Sequence, residues 1–168
     1  MQPTAVPYVA VVGASQATAS DLEDAAVVGR LLGEAGAVVV CGGRGGVMAA
    51  ASRGAAQAGG TVVGMLPGNG RGDANEWVTV AIATGLGELR NGLIVRSADV
   101  MIAVGGAYGT LSEIALALHA GLRVFGLHTW AIEGVAAVAD PQAAVDAALV
   151  AAHARTAHTR TAHARTDG

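Results

Sequence analysis

The chain has 168 residues, ten basic and 13 acidic side chains, a formal charge of −3, and 52% hydrophobic residues. That length suits one domain with a core of its own, independent of disulfides or metals. All ten basic residues are arginine, so Schiff-base chemistry on pyridoxal phosphate and the Walker-type P-loop, which both require lysine, are excluded.

Residues 8–13 (Tyr-Val-Ala-Val-Val-Gly) are a short apolar run ending at glycine, which predicts a strand buried on both faces. Ser20 opens a helical stretch with Glu23 as its capping-box partner, running to about residue 35 before Gly36. The pattern repeats with a strand over 37–41, a glycine loop over 42–46 and a helix over 47–58. A third strand spans 61–66 and stops at Pro67, and residues 67–77 form a polar, glycine-rich loop. Residues 78–84 are a short extended piece. Residues 86–98 read as a helix, which Gly92 weakens by ~1 kcal/mol relative to alanine. A fourth strand over 99–104 leads into a second glycine loop at 105–109 and a helix over 110–120. A fifth strand covers 122–127, and Asp140 with Pro141 starts a last helix through about residue 152.

Strands alternating with helices of this length predict crossover units. The expected fold is α/β: a single Rossmann-like, three-layer domain over residues 1–152, with a mostly parallel, doubly wound sheet. Residues 153–168 repeat His-Ala-Arg-Thr-like units with a period of five, which presents no single apolar face, so a disordered tail is expected there. The three tail histidines do not have the spacing of a metal cage, and neither a metal nor a resident cofactor is expected.

Ligands of such sheets bind at the carboxyl ends of the strands. Three glycine-marked loops converge on that edge: Gly13 to Ser15, the loop with Gly42, Gly43 and Gly46, and the loop Gly105, Gly106, Ala107, Tyr108, Gly109, Thr110. The last precedes a helix, where free amides and the helix dipole make an anion site. The spacing of Thr110 and Glu113 also fits a capping box, so both roles stand open at this stage. Met48 occupies the place of the third glycine of a dinucleotide fingerprint, which favours a mononucleotide over NAD. Arg90 alone reads as a surface arginine, Asn91-Gly92 as a place of close approach, and Asp99 as a turn or cap residue. Cys41 reads as a buried small hydrophobe in a reducing compartment. His119 and His128 have no triad partners. A slightly acidic chain with five aromatics is a poor candidate for nucleic-acid binding, and no apolar run is long enough to suggest a membrane span, so a cytoplasmic protein is expected.

Three segments together resemble the LOG ("Lonely guy") family: Gly42-Gly-Arg-Gly-Gly46-Val-Met48, the run Gly59 to Pro67, and Arg90…Asp99…Gly105-Gly-Ala-Tyr-Gly-Thr-Leu-Ser-Glu113. The resemblance covers roughly residues 8–130. It implies a Rossmann-like fold, a homodimer or higher homo-oligomer, and a phosphoribohydrolase that cleaves the N-glycosidic bond of AMP or of a cytokinin riboside 5′-monophosphate. By the same resemblance Arg90 and Glu113 are the catalytic pair, and Gly105, Gly106, Gly109 and Thr110 hold the phosphate. The older description of this family as lysine-decarboxylase-like cannot hold for a chain without lysine. The signature P-G-G-x-G-T-x-x-E is altered here: Gly105 stands for its proline, Ala107 for its second glycine, and Asn91 for the lysine after the arginine. These changes look more like the neighbouring molybdenum-cofactor carrier proteins, which implies the alternative of a non-catalytic carrier of a phosphorylated pterin.

Overall fold

A computed structural model describes residues 5–163. Six of its strands come from the apolar runs: β1 (Tyr8–Gly13), β2 (Val38–Cys41), β3 (Thr61–Leu66), β4 (Val80–Ala83), β5 (Val100–Val104) and β6 (Val124–Leu127). With β7 (Val135–Ala137) they form one seven-stranded sheet in the order β4-β3-β2-β1-β5-β6-β7. All six pairings are parallel. The expected α/β, Rossmann-like, doubly wound architecture is therefore present, and the sheet is wholly parallel.

A parallel sheet has to be covered on both faces, because its crossovers place helices there. Side chains alternate accordingly. Val9, Val11, Val39, Cys41, Val100, Ile102 and Val104 pack with residues of α1 (Ala19–Glu34), α2 (Val47–Gln57) and α5 (Pro141–His163). Ala10, Val12, Val40, Met101, Ala103 and Val124 pack on the other face with α3 (Asn91–Arg96) and α4 (Tyr108–His119). With so few aromatics, tight helix contacts replace large side chains. Gly29 and Gly54 let α1 and α2 approach until a Cβ at either would collide with the carbonyl of Ala51 or Ala26.

Several elements differ from the sequence expectation. Helix α1 is capped by Thr18, whose Oγ1 accepts the Asp21 N–H at 3.1 Å while Asp21 Oδ2 accepts the Thr18 N–H at 3.3 Å. Ser20 and Glu23 have the same spacing, but Thr18 is the residue with extended backbone (ψ 161°). The helix expected over 86–98 is broken into a 3-10 turn, Gly87–Arg90, followed by α3. Gly85 and Gly87, both at positive φ, make the bend. Asp99 pins the start of β1 by accepting the Tyr8 N–H at 2.9 Å. Strand β7 was not anticipated: three residues joined to β6 by 128–134, with no crossover helix to announce it.

The last helix does not stop near 152 but runs to His163, so the repeat is helical over 153–163. A period of five turns about 140° around a helix, which spreads the histidines but leaves alanine and arginine in a conformation they favour. Ala148 and Ala152 are buried, Arg155 Nη1–H donates to Gly121 O at 3.2 Å, and Thr156 Oγ1–H to Ala152 O at 2.8 Å. Residues 164–168 of that expected tail lie outside the described residues. Among the described residues no helix is long and apolar enough to cross a membrane.

Candidate functional site

Strands β1 and β5 lie side by side with Gly13 opposite Val104, and their continuations leave the sheet on opposite faces, β1 toward α1 and β5 toward α4. This is the switch point at which doubly wound sheets open a crevice. Gly13 is required there: a Cβ would come within 2.5 Å of Val104 O and of Val47 Cγ1. A cavity of about 650 Å³ occupies the crevice, within the range of small-molecule sites.

The cavity brings together most of the residues singled out in the sequence. Gly13 and Ser15 line it from the loop after β1, Arg90 and Asn91 from the start of α3, and Ala107, Gly109, Thr110 and Glu113 from α4. Arg44, inside the glycine loop over 42–46, lines it too, as do Met48, Pro67, Gln16 and Glu88, which the sequence reading did not single out as ligand contacts. Arg44 and Glu88 carried a signal: one is the charged residue inside the first glycine loop, the other stands two positions before Arg90.

Six predicted residues are not on the cavity wall. Gly42 lies behind Arg90, where a Cβ would strike the guanidinium and come 2.5 Å from Met48 Sδ. Gly43 packs against Gly64 and Leu66 of β3, and Gly46 lies under the carbonyls of Ala14 and Ser15. Gly105, at φ +56°, faces the Asp21 carboxylate, and Gly106, at φ +150°, sits against Thr110 and Thr129. These five shape the backbone. Tyr108 turns away to stack on Trp130, with ring centroids 6.0 Å apart. Gly92 has open space around it and does not line the cavity.

The cap of α4 settles the double reading of Thr110 and Glu113. The N-cap is Ala107, and its N–H is accepted by Thr110 Oγ1 at 3.4 Å. Glu113 therefore lies one turn inside the helix, not in a capping box, with its side chain in the crevice. The first helical bond, Leu111 N–H to Ala107 O (3.0 Å), leaves the amides before it without helical acceptors. This helix start, with the positive end of the helix dipole, lies at one end of the crevice.

The charged groups here are unusually buried. Arg90 is 7% exposed, and its Nε and Nη1 have no hydrogen-bond partner. Asn91, 3% exposed, donates through Nδ2 to Ser112 Oγ at 3.3 Å, and its Oδ1 has no partner. Glu113 is also 7% exposed. Burial pushes its carboxyl up to about 7; the Arg90 charge opposes that rise and the Glu88 carboxylate adds to it. Burying an arginine without partners costs several kcal/mol. Cys41, behind the site, is a core residue whose thiol is pushed up by burial, with its Sγ accepting the Gly43 N–H at 3.3 Å. Among the described residues no group of three or more His, Cys, Asp or Glu side chains is arranged to hold a metal ion.

Several known proteins are similar to the chain over nearly their whole length. The molybdenum cofactor binding protein from the phototrophic bacterium Rippkaea orientalis is 36% identical, with 86% of this chain and 96% of that one covered and a TM-score of 0.82. The molybdenum-cofactor carrier protein of Chlamydomonas rheinhardtii is 32% identical, with 88% and 98% covered and a TM-score of 0.78. A protein of Archaeoglobus fulgidus, described only as uncharacterized, is 42% identical over 139 residues, 82% of this chain and 91% of its own length. Residues 6–157 match the SLOG cluster4 family, and the chain belongs to that family.

Proposed function

We propose that the chain is a binding protein for a phosphorylated, pterin-type cofactor, held in the crevice between β1 and β5 in the manner of a molybdenum-cofactor carrier. The observation that carries this reading is the buried guanidinium of Arg90, its Nε and Nη1 without hydrogen-bond partners, in a cavity whose other end is the start of α4. Together they supply a fixed positive charge and free amides for a phosphate. The names of the two similar structures support the pterin as the group carried.

The raised carboxyl of Glu113 is compatible with either role, since a glycosidic general acid is also a carboxyl raised by burial. Asn91, in place of the lysine of the LOG signature, removes a phosphate-facing charge. The test is native mass spectrometry of the protein purified from cells that make the molybdenum cofactor, beside Arg90→Met. Wild type is expected to retain a pterin-sized mass and the variant to lose it; an empty wild-type protein that ignores both pterin and nucleotide monophosphates sinks the reading.

A second reading, N-glycosidic hydrolysis of a nucleoside 5′-monophosphate, draws on the presence of Arg90 and Glu113 in one cavity. In that case Arg90 holds the ribose or phosphate and Glu113 faces the breaking bond. Release of free base from AMP, above the level of Glu113→Gln, is the result that favours it.

A further inference from the structure

Only two tryptophans, two tyrosines and one phenylalanine occur in the chain, and two of these five rings, Tyr108 and Trp130, stand exposed beside the second glycine loop. Tyr108 is 82% exposed and Trp130 37% exposed. They stack at 29°, and neither ring lines the main cavity. Trp130 is also tied to that loop, its Nε1–H donating to Ala107 O at 3.3 Å. Its neighbour Thr129 sits against Gly106 with Oγ1 buried and unpartnered. Beside them is a separate cavity of about 440 Å³, walled by Trp130, Thr129, His128, Ile132, Val135 and Val138. It exists because β6 and β7 are joined by 128–134 without the helix that would otherwise fill this flank.

We infer that this is a second, ring-binding subsite, and that the full ligand straddles the glycine loop: phosphates at the start of α4, one ring system in the main crevice, a second planar ring against Trp130. The inference rests on the proposed phosphate-binding role of the loop and extends it. A phosphate monoester ends at the loop and leaves Trp130 untouched. A pyrophosphate carries a second ester, and its ring continues over Ala107 toward the indole. The ligand class is therefore a pyrophosphate joining two planar heterocycles, with Trp130 supplying the stacking face. In doubly wound sheets the two halves of a dinucleotide lie on either side of the switch point. Here Arg44 and Arg90 lie toward the β2–β3 side and Trp130 follows β6, so the two compartments flank the loop after β5 in that way.

The experiment uses the full chain carrying Trp77→Phe, which leaves Trp130 as its one tryptophan, and compares AMP with diadenosine pyrophosphate by calorimetry and tryptophan fluorescence. The pyrophosphate is expected to bind at least about fivefold tighter than AMP, the low end of what one stacked base contributes, and to quench Trp130, which AMP leaves unchanged. Trp130→Ala is expected to abolish that gain while the AMP affinity stays within about twofold. Trp130→Phe, which keeps a ring but not the N–H, retains most of the gain and shows that the fold survives substitution. Equal affinities with unmoved fluorescence overturn the subsite and leave the crevice reading intact. A Trp130→Ala variant that weakens both ligands alike shows the indole only positioning the loop, and overturns the subsite too. Binding of neither ligand overturns the subsite and the phosphate-loop reading together.

Discussion

The guanidinium of Arg90 lies directly on the Cα of Gly42: a Cβ at that glycine would overlap Nη1 and stand 2.9 Å from Cζ. A residue at the end of β2 thus determines whether an arginine from a distant part of the chain can enter the crevice.

Gly42→Ala is expected to displace Arg90 and lower affinity for a phosphorylated ligand by roughly tenfold or more, the loss of one charge-assisted hydrogen bond. Overpacking against Arg90 and Met48 also costs about 1–3 kcal/mol of stability. Calorimetry and denaturant unfolding measure the two effects. Unchanged affinity shows that Arg90 does not depend on this contact.

Arg90→Met separates binding from folding. The variant removes a buried charge with unpartnered Nε and Nη1, so at pH 5, where folded Glu113 is protonated and needs no opposing charge, the empty protein gains stability. Ligand affinity falls by about 10–100-fold. Opposite signs in thermal melts and binding isotherms are the expected signature. A variant that loses stability as well identifies Arg90 as a structural residue.

Glu113 makes stability depend on pH in a defined direction. Its folded carboxyl titrates at about 7 against an ordinary 4.5, so the folded state favours the protonated form. Below the ordinary value both states are protonated and the group contributes nothing. As pH rises from there to about 7 the unfolded chain ionises first, and stability falls by about 3 kcal/mol before levelling off. Glu113→Gln removes that loss. Melts at pH 4 and pH 8 are expected to coincide with wild type at the first and to lie above it at the second. An equal offset at both values rules out the ionisation as the cause.

Two glycine-to-alanine changes test what glycine does in helices. At Gly29 a Cβ meets the Ala51 carbonyl of α2, so Gly29→Ala forces the α1–α2 pair apart and costs about 1–3 kcal/mol. At Gly92, within α3, a Cβ meets nothing within 4 Å, so Gly92→Ala adds about 0.5–1 kcal/mol. Denaturant midpoints measure both. If Gly92→Ala instead weakens ligand binding, Gly92 is a point of close approach after all.

Much of this protein was legible in the order of its residues. Apolar runs punctuated by glycine announced a parallel sheet, because a strand buried on both faces must be apolar at successive positions. The same glycines marked the carboxyl edge, and with it most of the crevice. What failed were features without a local pattern. The repeat of five suggested disorder, yet intrinsic helix preference and the anchoring of Ala152 and Arg155 carry α5 to His163. Strand β7 is too short for a periodic signal and is held by its pairing with β6.

Composition and spacing determined the chemistry that could not occur, since a chain without lysine has no Schiff base to form, and determined where a ligand could lie. Tertiary structure alone decided what each polar side chain does. Thr110 and Glu113 had the spacing of a helix cap, and only the placement of Ala107 as the cap turned Glu113 into the crevice. Arg90 read as a surface residue until packing on Gly42 buried it. Burial is a property of the neighbours a fold assembles, and for a charged group it governs protonation and the demand for a partner.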